Sequence, residues 1–391
     1  MLRTESVEAF LALLKRSELL AHEQLLEARD VSRSLSDPRE LTRWLVKQRW
    51  LTRWQATQLL DGHEQLRVGE YRLLDLIGRG GMGLVFLAEP ITKARTVASS
   101  FATDRSDGRS NCLPQLVALK IMTRIGSPKG LKRYLQEVKA ASALSHPHIV
   151  RTLDSGVADG CHFLVMDFLP GRDLFAIMRD QAPLPVSWSC EVVRQAALGL
   201  QHAHEHGLVH RDIKPSNILV TPDPDFLTPH AHILDFGLVH IAREMTSLHD
   251  VTQAGAVIGT PDYISPEQAM SAQHADIRSD IFGLGCTLFQ LITGELPFPG
   301  HNVMEKLMAR LTTIPPSVSA MRAEAHADLD DLVSDMLRTN PYDRPQTPAE
   351  VAAELDRLSL KIHRHETRIA RISPRKITPH SQSRSRLRRS L

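Results

Sequence analysis

Over the first 66 residues the apolar positions recur at helical spacing. Asp37-Pro38-Arg39-Glu40 marks a helix start: an acid to cap the first amides, a proline suited to the first turn, and a glutamate that reaches back. Leu41, Trp44 and Leu45 then share one face. Thr52 and Gln55 repeat the start signal before Ala56, Leu59 and Leu60. The segment reads as a small helical bundle with three tryptophans, Trp44, Trp50 and Trp54. Their rings either fill its own core or present a docking surface for a partner or a second copy.

From Tyr71 the pattern shortens. Residues 71–77 and Leu84-Val85-Phe86-Leu87 read as two strands around a glycine-rich turn. Residues 89–116 are polar and aperiodic, too long for a tight turn, and read as an inserted loop. Strand character returns at Leu116-Val117-Ala118-Leu119-Lys120; a helix is expected over 129–144 and strands near 150–153 and 162–166. After Gly171 the chain reads as mostly helical to about Leu360. The apolar run Ile281 to Thr293 is too short for a bilayer and reads as a buried helix. From Lys361 arginine, serine and proline follow without an apolar period, the composition of a disordered tail. The expected domains are a helical module at 1–68, a larger domain at 69–358 and a basic tail at 359–391.

Charge sharpens that division. The net charge is +2, yet residues 361–391 hold ten Lys/Arg and one acid, which leaves the rest acidic. Such a tail is expected either to bind anionic surfaces or merely to solubilise the chain. Hydrophobic residues make up 42% of the chain, enough for a sizeable core. Glu5, Glu8, Lys15, Arg16 and Glu18 break up any signal-peptide core, and no membrane span is evident. Cys112, Cys161, Cys190 and Cys286 lie far apart without a Cys-x-x-Cys pair, which points to neither zinc nor disulfides and to a cytoplasmic setting.

The chemistry concentrates in His210-Arg211-Asp212-Ile213-Lys214-Pro215-Ser216-Asn217 and in Asp235-Phe236-Gly237. A carboxylate, a lysine and an asparagine share a short loop, and a second carboxylate follows. Phosphoryl transfer from ATP needs that set: an acid to orient the attacking hydroxyl, an amine to neutralise the moving phosphate, and oxygen donors for magnesium. Gly78-Arg79-Gly80-Gly81-Met82-Gly83-Leu84-Val85 fits G-x-G-x-x-G-x-V. Dinucleotide-binding folds share the glycine spacing but open a helix after it; here a strand follows, so the turn is a hairpin whose amides can approach phosphates. His202, His204, His206 and His210 crowd together, but their i, i+2 spacing spreads them around a helix rather than onto one metal-binding face.

These motifs, in this order over roughly residues 70–358, resemble bacterial eukaryotic-like serine/threonine protein kinases of the Hanks, PknB-like type. The resemblance implies an α+β, bilobal kinase fold, with a small β-rich lobe and a large helical lobe, preceded here by the helical module. It implies an ATP- and Mg²⁺-dependent enzyme acting on Ser/Thr hydroxyls of protein substrates. By residue, Gly78, Gly80, Gly81 and Gly83 would cover the phosphates, Lys120 would contact them, and Glu137 would hold Lys120. Val85, Ala118 and Leu219 would sandwich the adenine; Met166 would be its gatekeeper, with the Asp167 carbonyl and the Leu169 amide at its edge. Asp212 and Lys214 would be catalytic, and Asn217 and Asp235 would ligate Mg²⁺.

Structural partners of the catalytic motifs also match. Gly259-Thr260-Pro261-Asp262-Tyr263-Ile264-Ser265-Pro266-Glu267 resembles the substrate-facing segment, with Ser265 in place of the usual alanine. Asp280 matches the acid that braces the catalytic loop, Gly283 stands where serine is more usual, and Arg344 matches the partner of Glu267. Arg211 would pair with a phosphate placed on Thr252 by autophosphorylation in trans, which needs self-association; Thr260 would bridge Lys214 and Asp212. A binding-only relative would have lost a catalytic group, and none is lost. A small-molecule phosphotransferase would lack Lys214, Thr260 and Ser265-Pro266-Glu267.

Overall fold

The computed structural model describes residues 4, 6–80, 83–91, 116–122, 136–222, 228–236, 261–270 and 275–372. The chain divides into two compact units, one of Met1–Pro170, His202–His210 and Ile233–Thr260, the other of Gly171–Gln201, Arg211–His232 and Pro261–Leu391.

The first unit begins with four helices, α1 (Val7–Arg16), α2 (His22–Ser32), α3 (Pro38–Lys47) and α4 (Arg53–Leu60). Both start signals form. Asp37 accepts from the Arg39 amide at 2.9 Å, and Thr52 and Gln55 exchange reciprocal cap bonds at 3.1 and 2.9 Å. Phe10, Leu14, Leu41, Leu45 and Leu59 are fully buried in this bundle. Trp44 and Trp50 meet edge to face at 5.1 Å within it.

A six-stranded antiparallel sheet follows: β1 (Arg67–Val68), β2 (Tyr71–Gly80), β3 (Gly83–Pro90), β4 (Val117–Met122), β5 (Thr152–Ala158) and β6 (Cys161–Asp167), in the order β1-β2-β3-β4-β6-β5. The period of two sorts its side chains. On β4, Val117 and Leu119 join Leu73, Phe86, Phe163 and Val165 on one face. Ala118 and Met122 join Val138, Leu164, Met166 and Val85 on the other, and the alternation places Lys120 with them.

The helical module packs on the first of these faces. Trp54 lies 5.5 Å from the Phe86 ring. Where β2 slips its register between Leu73 and Asp75, the Leu74 carbonyl accepts from Thr52 Oγ1 at 2.6 Å and the Leu73 carbonyl from Gln55 Nε2 at 2.7 Å. All three tryptophans pack against the module's own core, and Trp54 also docks it on the neighbouring sheet.

The second unit is built on the helix Ile277–Thr293, buried along nearly its whole length. Asp276 caps it, accepting from the Arg278 amide at 2.9 Å, and Gly294, at φ +82°, ends it. A small sheet of β7 (Arg172–Asp173), β8 (Ile218–Thr221) and β9 (His230–Ile233) runs in the order β7-β8-β9.

The last helix, Pro348–Ile372, corrects the expectation of a disordered tail from Lys361. Leu355, Leu358 and Ile362 are buried at helical spacing and carry the apolar stripe on. Lys361 pairs with Asp328 at 2.6 Å, and the Glu366 carboxylate accepts the Val186 amide at 2.9 Å and the Ser187 amide at 3.3 Å. Residues 373–391 and most of the 89–116 insert lie outside the described residues. No described helix is long and apolar enough to cross a membrane.

Candidate active site

In the first unit the glycine hairpin joins β2 to β3. A Cβ at Gly83 would stand 1.9 Å from the Ile121 carbonyl oxygen, so close strand approach alone demands glycine there. At Gly80 a Cβ would meet nothing within 4 Å, and at Gly78 only Val85 at an ordinary 3.4 Å. Protein packing does not require those two glycines, and the space beside them is open to a ligand. Gly81 lies outside the described residues.

Strand pairing brings the expected adenine-side residues onto one face. Val85 pairs with Lys120, and Ala118 with Met166. Met166 and Ala118 are buried, whereas Asp167 and Leu169 are half-buried. The Asp167 amide donates to the Arg151 carbonyl at 3.0 Å, and its carboxylate meets the Arg151 guanidinium at 3.2 Å.

Lys120 is buried, and its Nζ lies 2.7 Å from Asp235 Oδ2. A buried ammonium needs a counter-charge. The sequence reading gives that place to Glu137, which stands half-buried on the helix at 136–141; the 2.7 Å partner observed is Asp235. Asp235 adopts φ +58°, a left-handed conformation costly for a non-glycine residue and characteristic of functional sites. The preceding segment is anchored by buried His210, whose Nε2 lies 2.7 Å from the Leu234 carbonyl and whose ring meets Phe236 at 5.0 Å.

The histidines partly depart from the helical-wheel argument. His202 and His206 are one turn apart with ring centroids at 4.4 Å, and His146 stacks on His202 at 5.1 Å. Burial, with His148 and His202 nearby, pushes the His146 pKa down to about 4. Among the described residues no group of His, Cys, Asp and Glu is arranged to hold a metal ion.

In the second unit the short turn Pro215–Asn217 folds the expected catalytic loop back on itself. Asn217 Nδ2 donates to the Asp212 carbonyl at 2.7 Å and to Asp212 Oδ2 at 2.9 Å, while Lys214 Nζ lies 2.7 Å from the same Oδ2. Asp212, Lys214 and Asn217 thus converge with the carboxylate fixed in place. Leu219 follows half-buried on β8.

The loop's backbone is held just as closely. Arg211 adopts φ +65°; its amide donates to Asp280 Oδ1 at 2.6 Å and its carbonyl accepts from Gln268 Nε2 at 2.9 Å. A Cβ at Gly283 would stand 2.7 Å from the Ile213 carbonyl oxygen, which accounts for glycine where serine is more usual. The Arg211 Nε is buried with no hydrogen-bond partner among the described residues. Thr252 and Thr260 lie outside them.

Glu267 and Arg344 form a two-pronged ion pair, 2.8 Å in each prong, with Ser279 Oγ donating to Glu267 at 2.6 Å. Arg344 also donates to the carbonyls of Arg278, Arg338 and Thr339. Burial pushes the Glu267 carboxyl up, but the Arg344 guanidinium outweighs it and holds the group below the usual range. Sequence reasoning gave Gln268 no role; its signal was the Ser-x-x-Gln spacing with Ser265, a helix-start pattern.

Residues 71–354 match the protein kinase domain family. The chain is 36% identical over 294 residues to the serine/threonine-protein kinase pkn3 of Myxococcus xanthus, covering 73% of this chain and 49% of that one. It is 35% identical over 292 residues to PknB of Mycobacterium leprae, covering 74% and 43%. It thus spans about half the length of these relatives or less. The PknI kinase domain of Mycobacterium tuberculosis superposes with a TM-score of 0.54 at 26% identity, covering 74% of this chain and 97% of that one.

Proposed function

The chain belongs to the protein kinase family, and from that premise we propose that it transfers the γ-phosphoryl group of ATP to Ser/Thr hydroxyls of protein substrates. The observation that carries the proposal is Asp212, its carboxylate held by Lys214 and Asn217 on one loop. The substrate hydroxyl would be oriented by Asp212, which takes its proton as the new O–P bond forms and the bond to the departing ADP breaks. Lys214 would neutralise charge on the moving phosphoryl group. In the first unit, Lys120 would bind the α- and β-phosphates beneath the open side of Gly78 and Gly80.

Asn217 and Asp235 each carry an oxygen donor of the kind a hard cation prefers, so each would be a ligand for Mg²⁺, which would supply charge neutralisation to the phosphate oxygens. The adenine would lie against Val85, Ala118 and Leu219. Activation by a phosphate on Thr252 is supported by the buried Arg211 Nε, a donor suited to an anion. A cytoplasmic setting accords with Cys161, Cys190 and Cys286 as free thiols. The basic tail would bind anionic partners.

The experiment is incubation of the purified chain with Mg²⁺, ATP and a Ser/Thr protein substrate, with phosphosites mapped by mass spectrometry. Asp212→Asn should lower turnover by about 10² to 10⁴-fold with its melting transition unchanged. Wild-type turnover in that variant overturns the assignment of roles.

A further inference from the structure

We propose that Gln268, oriented by Ser265, is a positioning residue that fixes the peptide bond between Arg211 and Asp212. The proposal rests on the kinase reading above, since its consequence is the aim of the Asp212 carboxylate.

The geometry is specific. Ser265, Pro266, Glu267 and Gln268 open the short helix Pro266–Met270 as a capping box: the Ser265 amide donates to Gln268 Oε1 at 3.1 Å, and the Gln268 amide points back at Ser265 Oγ at 3.4 Å. Ser265 Oγ also donates to Gln268 Oε1 at 3.1 Å. Two donors therefore converge on Oε1, which settles which end of the amide is which and turns Nε2 outward. Nε2 then donates to the Arg211 carbonyl at 2.9 Å.

That carbonyl belongs to the bond leading into Asp212. Arg211 sits in the left-handed region, which a bulky side chain occupies only when its surroundings over-determine it. Asp280 holds the peptide before Arg211 and Gln268 the one after it. Without the Gln268 donor the Arg211–Asp212 peptide loses the restraint on its carbonyl and can turn about the Arg211 ψ angle, carrying the Asp212 Cα with it. The arrangement also gives a reason for serine at 265 where alanine is usual: alanine can supply neither the cap nor the second donor.

The test uses the full chain and two variants. Gln268→Glu keeps an oxygen for the capping box but presents an acceptor to the Arg211 carbonyl; Gln268→Met removes the donor without adding charge. Both should lower kcat by about tenfold, the scale of one buried hydrogen bond, with KM for ATP unchanged. In Gln268→Glu the deficit should shrink as pH falls, because the protonated carboxyl again has a hydrogen to donate; in Gln268→Met it should not change with pH. A purely structural role would instead move melting temperature, kcat and KM together, with no such pH contrast. Wild-type kcat in both variants, or the same pH profile in both, refutes the positioning role. A wild-type chain without turnover refutes the kinase reading itself.

Discussion

The catalytic loop and the glycine hairpin are held by opposite means. From Arg211 to Ile213 the backbone is held by groups distant in sequence: the side chains of Asp280 and Gln268 on Arg211, and the backbone of Gly283 close against the Ile213 carbonyl. Among the described residues the hairpin strands from Gly78 to Gly83 are held by strand pairing, and further back Thr52, Trp54 and Gln55 of the helical module grip β2 and β3. A loop that aims a carboxylate gains from being set before substrate arrives. A flap over phosphates, the role proposed for the hairpin, would have to admit and release a ligand, and an anchor at the base of the strands is compatible with that.

The largest effect should come from breaking the frame beneath the catalytic loop. Arg344→Leu leaves the half-buried Glu267 carboxylate without its counter-charge and should cost about 3 kcal/mol in denaturant unfolding. The same pair predicts a pH dependence. Folding favours the ionised Glu267, so its contribution is complete above the unfolded value of about 4.3 and is lost as pH falls through the lower folded value. Glu267→Gln should flatten that acid limb, and an unchanged limb would show that the stability lies elsewhere.

A smaller effect should follow at the hairpin's base. Trp54→Ala removes the ring against Phe86 and should cost about 2 to 3 kcal/mol, less than a fully buried tryptophan. Hydrogen exchange should rise along β2 and β3 and leave the amides of the Ile277–Thr293 helix unchanged. Protection lost equally in both regions would erase the contrast. The smallest effect belongs to Thr52→Val, which deletes a helix cap and the bond to the Leu74 carbonyl for about 1 kcal/mol. Its exchange signature should centre on the β2 register slip.

Local signals were legible in the sequence because their geometry is local. The Asp37 and Thr52 helix starts, the glycine turn, and the Asp212, Lys214 and Asn217 loop each fit within eight residues or fewer. What escaped was contact across long separations. Lys120 meets Asp235 115 residues away, and Gln268 reaches a backbone carbonyl 57 residues away. A side chain bonded to main chain leaves no mark on the residue it reaches, since any residue has a carbonyl. Trp54 looked like its neighbours Trp44 and Trp50, yet only it turns to the sheet. The last helix was missed beyond Lys361 because one buried residue, Ile362, among charged ones reads as an aperiodic polar run.

If nucleotide and Mg²⁺ bind as proposed, the Lys120–Asp235 contact would give that binding the character of an ion exchange. Each member is the other's counter-ion at 2.7 Å, so a phosphate that takes the lysine releases the carboxylate, and a cation that takes the carboxylate releases the lysine. The two arrivals are then thermodynamically coupled: each removes the competitor of the other, and the gain in affinity is the same read from either side. On the proposed reading, metal-free nucleotide and nucleotide-free metal would both meet a closed pair, and the complex of the two would be the ligand that opens it from both sides.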